Sequence, residues 1–163
     1  MKKAKVFNLK ISLIKKNSLR KISVEGGNVM HALKSSDSGY KKFGEIYFSW
    51  INPLFIKAWK KHKIMTLNLI VPIGKVRFVF HDKAFPDQYR EEIIGEDNYC
   101  RLTVPPEVWF GFQGLSDYPS LVANVSDIEH DDKENIKVDI DTFAFNFALL
   151  FVTSGVVIFI SSM

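Results

Sequence analysis

A chain of 163 residues, 47% hydrophobic and 25% charged, has the size and composition of one globular domain, which excludes a disordered or low-complexity polymer. The formal charge of +4 owes much to the first 21 residues, where eight lysines and arginines stand without an acid. That run lacks the interleaved aromatics of a single-strand platform, so it reads as a solvated, phosphate-attracting arm and nucleic acid is not an expected partner.

The single cysteine, Cys100, excludes an intramolecular disulfide and points to a reducing cytoplasm, and no apolar run follows the N-terminal lysines as it would in a signal peptide. Fourteen phenylalanines, with recurring Val, Ile and Thr, tilt the composition toward strand. In chain order, residues 4–14 alternate loosely as a first strand, 15–18 turn the chain, and 19–24 form a second strand ended by Gly26-Gly27-Asn28. Residues 44–51 alternate strictly, with Glu45, Tyr47 and Ser49 against Ile46, Phe48 and Trp50.

The stretch 57–82, KAWKKHKIMTLNLIVPIGKVRFVFHD, reads as two half-buried strands joined at Pro72-Ile73-Gly74. A tight turn there sets Asn68 opposite Arg77, so the polar faces, with His62 and His81, coincide as a candidate site. Leu67, Leu69, Val71, Val76, Phe78 and Phe80 form the other face and need a cover. Residues 83–96 read as a lid or connecting loop, 98–104 as a strand, and Pro105-Pro106 as a forced turn. VWFGFQGL follows, its Gly111 and Gly114 marking a bend or close approach. Residues 120–127 make another short strand, and after the charged EHDDKEN the segment 136–141 pairs last. Many short strands broken by Gly and Pro predict an all-β sandwich or barrel with short helical or irregular segments.

Residues 1–141 are expected to form one domain, and 142–163 an apolar C-terminal extension without charge. Three readings of the extension stand: a strip buried in a core or dimer, an aberrant end, or a membrane tail anchor, the last opposed by its polar interruptions and unflanked ends.

The blocks KAWKKHKIMTLNLIVPIGKVRFVFHD, NYCRLTVPPEVWFGFQGL and SLVANVSD...HDDKE, spread over residues 40–141, resemble the dTDP-4-dehydrorhamnose 3,5-epimerase family of cupin-fold sugar-nucleotide enzymes. KAWKKHK is also similar to the histidine block of the related 3,4-ketoisomerases. The resemblance implies a cupin-type jelly-roll barrel, a homodimer, a nucleoside-diphosphate 4-keto-6-deoxy sugar as substrate, deoxysugar and surface-polysaccharide biosynthesis as the setting, and no metal or organic cofactor.

Epimerisation beside a ketone needs a base, a holder for the enolate oxygen, and an acid on the other face. Carried over position by position, the resemblance makes His62 the base, Lys60 the oxyanion holder and Asp141 the carboxylate that orients the base, with Asp139 as its alternative. Lys57, Asn68, Arg77, Glu45, Arg101 and Trp109 become substrate contacts. Three departures stand out: Ala123 falls where the family has its acid tyrosine, Glu107 replaces the glycine after VPP, and Phe110 stands where metal cupins place a ligand. A non-catalytic sugar-nucleotide binding cupin and a 3,4-ketoisomerase remain the alternatives.

Overall fold

A computed structural model describes residues 9–147 and, as backbone, 150–153 and 156–159. In chain order the strands are β1 Lys15–Ser18, β2 Lys21–Val24, β3 Gly27–Met30, β4 Glu45–Ile51, β5 Ile56–His62, β6 Leu67–Ile73, β7 Lys75–His81 and β8 Tyr89–Gly95. They continue as β9 Cys100–Val104, β10 Trp109–Gly114, β11 Ser120–Ser126 and β12 Asn135–Lys137, then the hairpin β13 Leu150–Thr153 and β14 Val156–Phe159. Two five-stranded sheets, ordered β1-β9-β6-β11-β4 and β12-β5-β10-β7-β8, carry the fold, and all their ladders are antiparallel.

The expected central hairpin does not exist as a ladder. β5 and β7 lie in the second sheet and β6 in the first, so the chain crosses between sheets at residues 63–66 and again at Gly74. Gly74 has φ +79°, and a Cβ there would stand 2.2 Å from the Ser120 hydroxyl, so the corner requires glycine. The faces are reversed as well. Leu67, Leu69, Val71, Val76, Phe78 and Phe80 need no outside cover, because they fill the space between the sheets with Leu102, Val104, Phe110 and Val122. Phe78 and Phe80 are fully buried, and each contributes about 1.5–3 kcal/mol by burial.

Outside the second sheet lies another cluster of Trp59, Val79, Trp109 and Phe147, onto which Phe143 and Phe145 pack. The Trp59 indole N–H donates to the Ile140 carbonyl at 3.1 Å, so residues 138–147 lie across that sheet and cover it. Part of the segment expected to be an extension is thereby packed on the barrel. The tail residues 148–149, 154–155 and 160–163 lie outside the described residues, while 150–153 pairs antiparallel with 156–159. Among the described residues no helix is long and apolar enough to cross a membrane.

Two further boundaries differ from expectation. Residues 10–13 form a 3-10 turn and the strand comes at 15–18, because the Arg90 guanidinium binds the Ile11 and Ile14 carbonyls at 3.1 and 2.7 Å and fixes the bend. Residues 4–8 of the expected first strand lie outside the described residues. Half of the expected lid at 83–96 is β8, an edge strand on which Glu91 pairs with Arg77 and Glu92 pairs with Lys16 and Arg90. On β4 the polar face turns inward, leaving Ile46 (49%), Phe48 (61%) and Trp50 (55%) exposed outside.

Candidate active site

Between the sheets opens a cavity of about 330 Å³. Its floor is apolar, from Leu67, Leu69, Phe110, Phe112 and Val122, and its polar groups are Tyr47, Ser49, Asn124, Lys57, Lys60 and Lys137. Local strand geometry explains the convergence. β5 and β10 pair as Lys60 with Phe110 and Lys57 with Phe112, a register slip that places one more residue on β5 than on β10 and turns both lysines to the same side. Gly111 permits this, since a Cβ there would meet the Ala58 Cβ at 2.6 Å.

His62 ends β5 beside this cavity, 3% exposed and stacked on Phe110 at 6.1 Å. Its Nδ1 bonds the Glu134 carboxylate, whose other oxygen accepts the Ile64 and Met65 backbone N–H groups at 2.8 and 2.9 Å. His62 Nε2 is buried with no hydrogen-bond partner among the described residues. Burial is the largest influence on the imidazole and holds its pKa below the ordinary 6.5, the Glu134 hydrogen bond opposing it. Burial pushes the Glu134 carboxyl up, but the two amides and His62 outweigh it and the group stays ionised below 4.5. A neutral imidazole against a carboxylate carries its proton on Nδ1, which leaves the Nε2 lone pair free.

The other wall belongs to the first sheet. Tyr47 comes from β4, and burial pushes its phenol above 10 with the Asn124 amide acting the other way. Asn124 Oδ1 accepts the Asn68 backbone N–H at 3.1 Å, and its Nδ2 is buried beside the Tyr47 phenol. Glu45 also lies on the inward face of β4, half-buried, with Oε1 unpartnered among the described residues. Lys57 donates to the Ser49 hydroxyl at 3.0 Å and the Trp50 carbonyl at 2.7 Å. Burial, then the charge of Lys137, pulls the Lys60 ammonium below its ordinary 10.5.

Of the residues singled out by sequence, the structure gathers His62, Lys60, Lys57 and Glu45 in this region and takes five others out of it. Asp141 is exposed in a 3-10 turn at Ile140–Thr142, and the carboxylate on His62 is Glu134, from the charged run 129–135. Asn68 points outside the first sheet, donating to the Gly39 carbonyl and accepting from Thr103 at 2.8 Å. Arg77 lies outside the second sheet, paired with Glu91 and set over Phe145. Arg101, 2% exposed, binds Asp37 at 2.6 Å and the Ala32 carbonyl at 2.9 Å, clamping a loop on the first sheet. Trp109 packs in the outer cluster under Lys61.

Ala123 alternates out of the cavity between Val122 and Asn124, so it occupies no catalytic position. Tyr47 and Asn124 went unmarked as chemistry, although Tyr47 shares its strand face with Glu45. Among the described residues no group of three or more His, Cys, Asp or Glu side chains is placed to hold a metal ion.

Two facing antiparallel sheets with a histidine–carboxylate pair beside the cavity between them define a cupin-type jelly roll whose site suits proton transfer. No family model matches the chain. The crystal structure of a dTDP sugar isomerase from Desulfovibrio desulfuricans G20 is 36% identical, covers 82% of this chain and 90% of that one, and superposes with a TM-score of 0.77. A probable low-salt glycan biosynthesis epimerase, Agl13 of Haloferax volcanii, is 27% identical over 123 residues, 69% of this chain and 79% of that protein. The 3,5-epimerase RmlC of Legionella pneumophila, solved with dTDP-4-keto-L-rhamnose, shares the fold at 14% identity, with 85% of this chain, 82% of that one and a TM-score of 0.69. The chain belongs to the dTDP-4-dehydrorhamnose 3,5-epimerase family of cupin-fold sugar-nucleotide isomerases and epimerases.

Proposed function

We propose that this protein epimerises a nucleoside-diphosphate 4-keto-6-deoxy sugar by removing a proton from a carbon beside the ketone. The observation that carries the reading is the His62–Glu134 pair with its free, buried Nε2. His62 takes the proton, Glu134 fixes the tautomer and stabilises the imidazolium that forms, and Lys60 with Asn124 Nδ2 activates the 4-keto oxygen. Tyr47, held protonated by burial on the opposite sheet, returns a proton to the other face. A base and an acid on opposite walls suit inversion better than a 3,4-ketoisomerisation, which moves hydrogen between adjacent carbons. The apolar floor receives the 6-methyl group, and Lys57 and Lys137 at the mouth face the diphosphate. Glu45 is kept as a substrate contact.

Ala123 was the residue that favoured a non-catalytic binding protein, and its place outside the cavity removes that support. The same reading makes the protein a cytoplasmic homodimer in deoxysugar and polysaccharide biosynthesis, with the exposed Ile46-Phe48-Trp50 stripe meeting a second copy. Proton NMR of a panel of such sugars in deuterium oxide tests the chemistry. Wash-out of a proton beside the ketone supports it and names the carbon; tight binding of one sugar with no wash-out on any contradicts it.

A further inference from the structure

Asn124 and Tyr47 stand directly opposite each other on the paired strands β11 and β4, and both side chains line the cavity. Side chains paired in this way are within reach of each other. The Asn124 amide fits only one way round. Its Oδ1 accepts the Asn68 backbone N–H at 3.1 Å, from the neighbouring strand on the other side, which leaves Nδ2 to face the phenol. An amide nitrogen donates and has no lone pair to offer, so Tyr47 Oη can accept from it but cannot spend its own proton on it. Among the described residues no other side chain bonds the phenol, and its O–H is left for whatever occupies the cavity.

We infer that Asn124 is a positioning residue that aims the Tyr47 O–H at the substrate, and so decides whether the carbon deprotonated by His62 is inverted or merely exchanged. This rests on the proposed function, in which Tyr47 returns the proton, and it specifies what directs that proton. The pair is the counterpart of His62 and Glu134. There an acceptor holds the proton of the base away from its free lone pair; here a donor holds a lone pair of the acid and leaves its proton free. One N–H of Asn124 serves the phenol and the other the ketone. The amide also acts against burial on Tyr47, favouring the phenolate that remains once the proton has gone.

The steps balance without an oxidant or reductant. His62 Nε2 takes the proton beside the ketone, and the C–H electron pair becomes the enolate. The enolate carbon takes the Tyr47 proton on the opposite face and the ketone re-forms. The phenolate then gains a proton from water and the imidazolium loses one to it. Without a directed phenol, the donor that remains is His62 itself, which after exchange with solvent returns deuterium to the face the proton left. That gives wash-out without inversion.

The test reads wash-out and inversion together, by proton NMR in deuterium oxide at about pH 8, for native protein, Asn124→Asp and Asn124→Ala on the sugar nucleotide that the native protein exchanges. Asn124→Asp keeps an oxygen for the Asn68 N–H and turns the group facing the phenol into an acceptor, which captures the Tyr47 proton. Its ratio of inversion to wash-out is expected to fall on the order of tenfold or more, and the ratio in Asn124→Ala, which leaves the O–H undirected but uncaptured, to fall less. Loss of the ketone contact or a loosened β11 slows both rates alike and leaves the ratio where it was. A native ratio in whichever variant keeps the fold by circular dichroism, or a larger fall in Asn124→Ala than in Asn124→Asp, overturns the positioning role and leaves the proposed function standing. Native protein that inverts no sugar of the panel overturns both.

Discussion

His62 and Glu134 lie 72 residues apart in sequence and meet as a buried pair, the carboxylate accepting from Nδ1 on one oxygen and from two successive backbone amides on the other. Glu134 therefore does two jobs: it closes the turn after β5 and it sets the imidazole tautomer. These separate by mutation. Glu134→Gln keeps an oxygen for the amides but offers N–H to Nδ1, which moves the imidazole proton to Nε2. Wash-out is expected to fall by about 10²- to 10⁴-fold with little change in melting temperature. Glu134→Ala leaves the two amides unpaired and costs about 1–3 kcal/mol for each one that stays buried, which denaturant unfolding would register.

The pair also fixes a pH dependence. His62 acts as a base only when neutral, and its pKa is lowered, so kcat/KM should fall on the acid side with a midpoint below 6.5. Stability runs in the same direction. The unfolded chain protonates its histidine and its carboxylate before the folded one does, because both folded values are lowered. Stability from the pair is therefore complete above about 6.5 and is lost as pH falls through 4.5 and then through the folded value of the coupled pair. Denaturant midpoints taken from pH 7 to 4 check this, and a midpoint that rises toward pH 4 would contradict it.

Lys57 and Arg77 separate what sequence grouped together. Lys57→Met removes a cation from the cavity mouth and is expected to raise KM about tenfold, or ~1.4 kcal/mol. Arg77→Met acts outside the barrel, where it breaks the Glu91 pair, and should leave KM within about twofold. Steady-state kinetics on the two variants decide whether the cavity has been placed correctly.

Glu107 stands at φ +66°, and its side chain meets Lys61 at 2.7 Å. Glu107→Ala loses the ion pair and keeps the left-handed backbone, whereas Glu107→Gly loses the pair and relaxes the backbone. The glycine variant should be the more stable of the two by about 1 kcal/mol, read from denaturant midpoints.

The apolar stripe of Ile46, Phe48 and Trp50 gives an assembly prediction. Phe48→Glu should convert a dimer to a monomer in sedimentation while leaving the barrel folded, since Phe48 is 61% exposed in the single chain. A native protein that sediments as a monomer at every concentration would remove the dimer from the proposal.

How far the sequence is legible follows from these residues. Alternation on β4 and the Gly and Pro punctuation reveal an all-β fold, because strand periodicity is local. Parity does not say which face is inside. On β4 the aromatic face is exposed and the polar one lines the cavity, while on β6 and β7 the apolar face fills the barrel, and sheet position alone decides between them. The tight turn read at residues 72–74 is a corner between sheets, and that single difference moved Asn68 and Arg77 out of the site. The histidine was visible through the resemblance of its block. Its carboxylate was not, because a glutamate in EHDDKEN has no local mark until the loop folds back onto residues 62–65.

The most direct test of the proposed chemistry compares native protein with His62→Asn in deuterium oxide, on the sugar nucleotide that the native protein binds best. Loss of wash-out beside the ketone with binding retained is the predicted result. Wash-out at the native rate in His62→Asn would show that the proton is removed elsewhere and would contradict the central claim.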